Sequence, residues 1–361
     1  MRAGLEAAGV ETVWANDIEA DKRDMYVANF GQDDFVLGDV RDVRGDDVPD
    51  IELATASFPC TDLSLAGNRR GLGAEAAPPG EVGGSSMFWE FARVLDEMGD
   101  RRPEIVLLEN VLGFASSHGG RDLREAVHEL NHLGYSCDLL AIDARHFVPQ
   151  SRPRMFIVGQ LDPIGASDFV EGAPRPAWAR SFRVVNPTAR LHARPLPDLP
   201  TGPSDLDAVV ERIPPDALEW WDGDRVQRFV SSLSRLQTAR LEDLKAAGSL
   251  SWRTAYRRTR HGNAVWEIRP DAIAGCLRTA RGGSSKQALV EAGGGVVRIR
   301  WMTPREYARL MGADDFVLDA RRNQALFGFG DAVCVPLIAW ICEHYLLPAA
   351  EQSSRAVAVA A

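Results

Sequence analysis

The chain has 361 residues, 45% of them hydrophobic and 25% charged, with a formal net charge of −10 and a pI near 5.3. That acidity excludes a protein that coats nucleic acid indiscriminately. No run approaches the ~18 apolar residues of a membrane span and no signal-peptide pattern opens the chain, so a cytoplasmic location without membrane contact is expected.

The length allows a full core and two domains. Five cysteines, Cys60, Cys137, Cys276, Cys334 and Cys342, lie far apart, without the paired spacing of zinc sites or disulfide frameworks. No structural metal is expected. Residues 1 to about 50 read as helix, strand, helix, strand. Arg2–Ala8 is a short helical stretch stopped by Gly9, and Val10–Ala15 is a strand ending at Asn16 and Asp17. The apolar Phe35-Val36-Leu37 leads in the same way to Gly38-Asp39-Val40. A carboxylate at the end of such a strand can accept both hydroxyls of a ribose, although an Asp beside a Gly also simply makes a turn.

Ile51–Ala56 reads as a short buried strand, and the loop behind it presents Cys60 directly after Pro59. Loops at the carboxyl ends of parallel strands carry reacting groups, so Cys60 is a candidate nucleophile; a lone cysteine is otherwise a small buried residue. After a Gly-, Ala- and Pro-rich stretch, Met87–Met98 has helical periodicity, and Glu104–Leu108 is a buried strand ending in Glu109-Asn110-Val111. Adjacent parallel strands would bring Glu109 and Cys60 together.

Leu123–Leu133 is an amphipathic helix and Ser136–Ile142 a strand. Gln150-Ser151-Arg152-Pro153-Arg154 then enters a further strand, where alternate residues share a face, so Arg152 and Arg154 would present two guanidiniums together. From Pro163 to about Pro203 the chain reads as a crossing segment. A composition shift follows, with Trp220, Trp221, and a basic stretch in which Arg257, Arg258 and Arg260 stand among aromatics. Such a stretch suits phosphates and bases, or a solvated face. Thr303 before Pro304 starts a helix toward Gly312. Phe329-Gly330-Asp331-Ala332-Val333 opens a last apolar helix to Leu346, and the tail 349–361 is expected to be disordered.

Taken in order, Phe58-Pro59-Cys60, Glu109-Asn110-Val111, Gln150-Ser151-Arg152-Pro153-Arg154, the Pro304-Arg305-Glu306 helix and Gly330-Asp331-Ala332-Val333 resemble the motif set of the bacterial C5-specific DNA cytosine methyltransferases. The resemblance implies an α/β fold with a Rossmann-like S-adenosylmethionine-dependent methyltransferase sheet and a smaller target-recognition domain. It divides the chain into a catalytic and cofactor-binding domain at 1–200, a target-recognition domain at 204–300, and motifs at 301–348 that return to the catalytic domain. It also implies a first strand and a glycine-rich loop ahead of the helix matched by Met1–Ala8. The chain is expected to lack them, through a start placed too late rather than a natural truncation or a decayed copy.

By the same resemblance, Cys60 adds to cytosine C6, Glu109 holds the N3 and N4 edge, Arg154 contacts O2, and Arg152 lies beside it. S-adenosyl-L-methionine is the methyl donor. Asp17 takes its ribose and Ile18 lies beside its adenine; Asp39, with Val40 next to it, takes the adenine amino group. Asp331, where the family usually has asparagine, and Ala332 lie near the methionine end. Duplex DNA is the expected partner of a monomer, with Ser64, Arg69 and Arg70 on the loop after Cys60 and Arg278, Arg281 and Lys286 at the end of the target-recognition domain. Bacterial relatives often serve beside a restriction nuclease or other defence partner. A catalytically silent DNA-binding homologue and a transfer-RNA methyltransferase are the competing readings.

Overall fold

The computed structural model describes residues 1–59, 72, 86–163, 167, 172, 174–260, 262–278, 286–318 and 322–352. Cys60, Ser64, Arg69, Arg70, Arg281 and residues 353–361 of the tail lie outside the described residues. The chain forms two compact units, one made of Met1–Asp143, Pro153–Leu199 and Ile338–Ala361, the other of Ala144–Arg152 and Pro200–Leu337.

The first unit opens with α1 (Arg2–Ala7), β1 (Ala15–Asp17), α2 (Ala20–Phe30) and β2 (Phe35–Leu37). β1 and β2 run parallel, with Ala15 opposite Phe35 and Asp17 opposite Leu37. The strand expected at Val10–Ala15 is thus shorter and later, because a strand extends only as far as its ladder partner. Asn16 lengthens the pairing by donating to the carbonyls of Val36 and Gly38.

Next come β3 (Leu53–Ala56), α3 (Met87–Glu97), β4 (Ile105–Val111), α4 (Gly113–Ser116), α5 (Arg121–His132), β5 (Ser136–Asp143), β6 (Pro153–Gln160) and α6 (Ala177–Val185). They build a mixed sheet of order β3-β4-β6-β5, parallel between β3 and β4 and antiparallel on both sides of β6. Among the described residues no ladder joins this sheet to β1 and β2. The first four residues of β4, 105–108, are a continuous apolar run because β4 is an inner strand, flanked by β3 and β6. α5 turns Leu123, Ala126, Val127 and Leu130 to one side, the spacing of a single helical face, and they share a core with Phe88, Leu95, Val106 and Ile157. Each large side chain so buried stabilises the fold by about 1.5–3 kcal/mol. The segment expected merely to cross is packed instead, since Ala179 and Phe182 of α6 belong to the same core.

The second unit contains α7 (Gly223–Ser231), α8 (Arg235–Ala246), β7 (Ser251–Arg260), β8 (Asn263–Ile268), β9 (Ala288–Gly293), β10 (Val296–Trp301), α9 (Pro304–Leu310) and α10 (Arg322–Asp331). Asp222 and Ser234 cap α7 and α8 by accepting from backbone N–H groups three residues on. The strands form an antiparallel sheet of order β10-β9-β7-β8. Ala255, Ile268, Val290 and Ile299 of one face pack with Phe229 and Leu241 of the helices, and Trp221, Trp266 and Trp301 close that core.

α9 begins with a reciprocal cap: Thr303 Oγ1 accepts from the Glu306 N–H, and a Glu306 carboxylate oxygen accepts from the Thr303 N–H at 2.8 Å. Glu306 also pairs with Arg300 of β10, both side chains fully buried. That pair ties the residues after 301 to the second unit, so the return to the first unit begins at Ile338 and not at 301 as expected.

α10 ends at Asp331, where the sequence suggests a helix opening, and the helix resumes as α11 (Val335–Ile341). A continuous helix from Phe329 would carry Pro336 in its interior; the break instead places that proline in a first turn, where its missing N–H has no cost. A π-helical turn (Cys342–Leu346) and α12 (Leu347–Glu351) complete the chain's described part, so residues 349–352 of the expected disordered tail are ordered. By length and composition Gln324–Glu351 is apolar enough to cross a membrane, contrary to the expectation from sequence, yet most of it is buried within the fold, as a core helix is.

A buried polar network lies behind β5 in the first unit. Asp138 accepts from Arg175 Nε at 2.8 Å and from its Nη2, from the Arg194 N–H, and from the Tyr345 hydroxyl at 2.9 Å. His192 sits between Tyr345 Oη at 2.9 Å and Ser136 Oγ at 3.1 Å. Arg194 donates to Gln160 and to Gln352, which fastens the end of α12.

Candidate active site

β3 and β4 are adjacent and parallel, with Ala56 opposite Leu108, so their carboxyl ends open on one edge of the sheet. Phe58 is buried against Phe88 and Phe114. Its carbonyl accepts from Asn110 Nδ2 at 3.1 Å, and Asn110 in turn accepts from the Val111 N–H at 2.9 Å. The backbone leading to Cys60 is therefore fixed to the end of β4, although Cys60 itself is not among the described residues. Asn110 stands in a motif that the sequence displays, but no role follows for it from sequence; the hydrogen bond to Phe58 supplies one.

Glu109 is 6% exposed. Arg154 Nε lies 2.8 Å from Glu109 Oε1. The register explains the pairing: Arg154 is opposite Val111 and Phe156 opposite Glu109, which puts the two charged side chains on one face as diagonal neighbours. The guanidinium fixes the carboxylate's position at the strand end.

Arg152 corrects an expectation. It precedes β6 and does not alternate with Arg154 along that strand. Only 2% exposed, it donates through Nη1 to the Leu277 carbonyl at 3.0 Å and through Nη2 to the carbonyls of Gly330 and Ala332 at 2.9 and 2.7 Å. Those bonds clamp the turn after α10, where the exposed Asp331 and the half-buried Ala332 lie. Gln150, fully buried, accepts from the Leu277 N–H at 3.1 Å and donates to the Leu310 carbonyl at 2.7 Å. Leu277 is thus held at both backbone groups, and the exposed Arg278 follows it.

Asp17 and Asp39 stand at the carboxyl ends of the paired strands β1 and β2. Asp17 Oδ1 accepts from the Glu19 N–H at 2.9 Å and Oδ2 is 3.6 Å from Lys22 Nζ. Ile18, beside it, is 37% exposed. A strand-end carboxylate next to an exposed apolar side chain fits the ribose and base of a nucleoside. Asp39 fits less directly: the Arg41 guanidinium grips its carboxylate and holds its pKa below the ordinary carboxylate range, and the same carboxylate caps the turn that starts at Val40.

The basic stretch of the second unit does not act as one face. Arg257, opposite Trp266, shares the side of Ala255, which the helices cover. Arg258 and Arg260 share the other side, where both approach Glu267. Lys286 is half-buried just before β9.

The sequence profile of the C-5 cytosine-specific DNA methylases matches residues 1–346. The chain is 25% identical over 345 residues to the Type II methyltransferase M.HhaI of Haemophilus parahaemolyticus, covering 94% of this chain and 89% of that protein. It is 27% identical over 348 residues to M.DsaV of Dactylococcopsis salina, covering 96% and 82%. With M.Bsp6I of a Bacillus strain it shares 28% identity over 194 residues, 53% of this chain and 58% of that protein, so the match spans little more than half of that relative. Among solved structures, the S. pombe Dnmt2 methyltransferase superposes with a TM-score of 0.57 at 16% identity over 96% of this chain and 94% of its own. The Spodoptera frugiperda DNMT2 mutant gives 0.59 at 16% identity over 96% and 95%, which establishes the shared fold. The chain belongs to the C-5 cytosine-specific DNA methylase family.

Proposed function

We propose that this chain transfers a methyl group from S-adenosyl-L-methionine to C5 of a cytosine flipped out of duplex DNA. The observation that carries the reading is the edge formed by β3 and β4: Arg154 positions Glu109, and Asn110 anchors the backbone that leads to Cys60. Cytosine C5 is a weak nucleophile, and an enzyme must first push electrons into the ring. The Cys60 thiolate adds to C6, forming the S–C6 bond and raising electron density at C5 and N3. Glu109 delivers a proton to N3, so that negative charge does not accumulate there. Bound S-adenosyl-L-methionine supplies the electrophilic methyl group that C5 takes. The sulfonium S–CH3 bond breaks as the C5–CH3 bond forms, leaving the neutral thioether; a general base then takes the C5 proton, N3 returns its proton to Glu109, and the Cys60 thiolate departs, which restores the aromatic ring.

Arg154 also reaches the base O2, while Arg152 is a positioning residue that sets the Gly330 and Ala332 carbonyls. Asp17 holds the ribose and Ile18 gives the adenine an apolar face; Asp39 takes the adenine amino group in place of Arg41. The cytosine is unreachable inside a duplex, so the base is extruded. Ser64, Arg69 and Arg70 contact the DNA, and the second unit reads it, with Arg258, Arg260, Arg278, Arg281 and Lys286 as its cationic contacts; Arg257, on the side that the helices cover, is not among them. A monomer working in a restriction-modification or other defence system is the proposed setting.

The test is transfer of a labelled methyl group to mixed-sequence duplex DNA and, separately, to transfer RNA, by the wild-type chain and by Cys60→Ala. The expected result is labelled duplex DNA with the wild type and none with Cys60→Ala, which still binds the duplex. Transfer by Cys60→Ala, or transfer to transfer RNA alone, overturns the reading.

A further inference from the structure

β7 and β8 pair antiparallel out to Arg260 opposite Asn263, and the hairpin presents two different faces. Ala255, Trp266 and Ile268 point into the core of the second unit. On the opposite side, Tyr256, Arg258 and Arg260 of β7 stand with Val265 and Glu267 of β8, by the two-residue period and the register. Toward the start of β7 this side is closed, since Trp252 and Thr254 are buried. Toward the hairpin end it is open, with the Arg260 side chain 61% and the Arg258 side chain 41% exposed.

Glu267 organises that open face. In the register it is opposite Tyr256, whereas Arg260 is opposite Asn263. The Arg260 side chain must therefore lie back over the sheet, and there its Nε and Nη2 both donate to one oxygen, Glu267 Oε1, at 2.9 and 2.7 Å. The other oxygen is 3.7 Å from Arg258 Nε, and the Arg258 guanidinium lies 4.8 Å from the centre of the Tyr256 ring. Arg260 is thus engaged along its Nε side. Its terminal pair of amino groups, the pair that donates two parallel hydrogen bonds, has its plane set by the carboxylate.

A two-stranded ribbon fits the major groove of B-form DNA, and an arginine fork there matches the O6 and N7 acceptors of guanine. We propose that the open face of the β7–β8 hairpin reads a guanine of the target site through Arg260, with Glu267 as the positioning residue that orients the fork. The inference rests on the methyltransferase reading and deepens it by naming a specificity determinant. Arg258, stacked on Tyr256 and less exposed, supports the face by contacting phosphate.

The experiment uses the full chain with S-adenosyl-L-methionine and a duplex pool randomised on both sides of a cytosine. Bound duplexes are sequenced, and methyl transfer to the same pool is measured. The wild type is expected to enrich a site with a required guanine. Arg260→Lys keeps the charge but not the fork, and is expected to lose that preference by about tenfold or more while retaining affinity for the unselected pool. Glu267→Gln is expected to relax the same position partially and no other, a pattern that general loss of structure does not produce; melting temperatures of all variants are compared to exclude unfolding. An enriched site without a guanine requirement, or an Arg260→Lys protein with the wild-type preference, overturns the inference while methyl transfer persists. A wild-type chain that methylates no member of the pool overturns the methyltransferase reading beneath it.

Discussion

Substituting His192 by Gln removes a pH-dependent weakness from the first unit. His192 is 6% exposed, and burial pushes its pKa down to about 4; Arg194 and Arg175 push the same way, against the opposing pull of Asp138. In the unfolded chain the same imidazole titrates near 6.5. Between those values the unfolded state binds the proton and the folded state does not, so folding stability falls as the pH drops from about 6.5 to about 4 and then levels off. At about 1.4 kcal/mol per pH unit the full loss is about 3 kcal/mol, of which about 2 kcal/mol is reached at pH 5. The neutral form also suits the geometry, because one ring nitrogen can donate while the other accepts between Ser136 Oγ and Tyr345 Oη.

Urea unfolding of the wild type and His192→Gln at about pH 7.5 and pH 5.0, followed by fluorescence, gives four stabilities. The variant is expected to start less stable, having lost a fitted ring, yet to lose about 2 kcal/mol less than the wild type between the two pH values. Equal losses would refute the assignment of this pH dependence to His192.

Three further outcomes follow from the packing. Glu306→Gln leaves the fully buried Arg300 without its charge partner, and thermal melting should register a loss of about 3–5 kcal/mol. Gly293 has φ +147°, and a methyl group there would sit 2.1 Å from the Ser249 carbonyl oxygen, so Gly293→Ala should destabilise by about 1–3 kcal/mol in the same measurement. Asn110→Ala removes the donor to the Phe58 carbonyl; a stability cost of about 1–2 kcal/mol is expected, and methyl transfer should slow while DNA binding holds.

What the sequence makes legible is what local pattern controls. Thr303 before Pro304 announces the start of α9 because cap and proline are adjacent, and the structure adds the return bond from Glu306. Glu109 is placed correctly at a strand's carboxyl end because the apolar run before it has the continuous pattern of an inner strand. The partners of Arg152 are beyond such reading: the carbonyls it clamps lie 125, 178 and 180 residues away, and nothing near Arg152 predicts them. The same holds for the network around Asp138, which draws His192 and Arg194 from a proline-rich stretch and Tyr345 from the last helical segment. The division of the arginines is different, since a period of two separates Arg257 from Arg258 and Arg260 as soon as the segment is read as a strand; as an undivided basic stretch it hides that fact.

The central claim is that Cys60 forms a bond to the target cytosine, and trapping that bond tests it most directly. In duplex DNA carrying 5-fluorocytosine, C5 can take the methyl group but has no proton to lose, so the thiolate cannot leave. Denaturing mass spectrometry of the chain after incubation with this duplex and S-adenosyl-L-methionine should find one methylated DNA adduct, mapped by proteolysis to Cys60 and absent from Cys60→Ser. Methylation of ordinary cytosine by the same preparation, with no adduct on the fluorinated duplex or with an adduct elsewhere, would contradict the account.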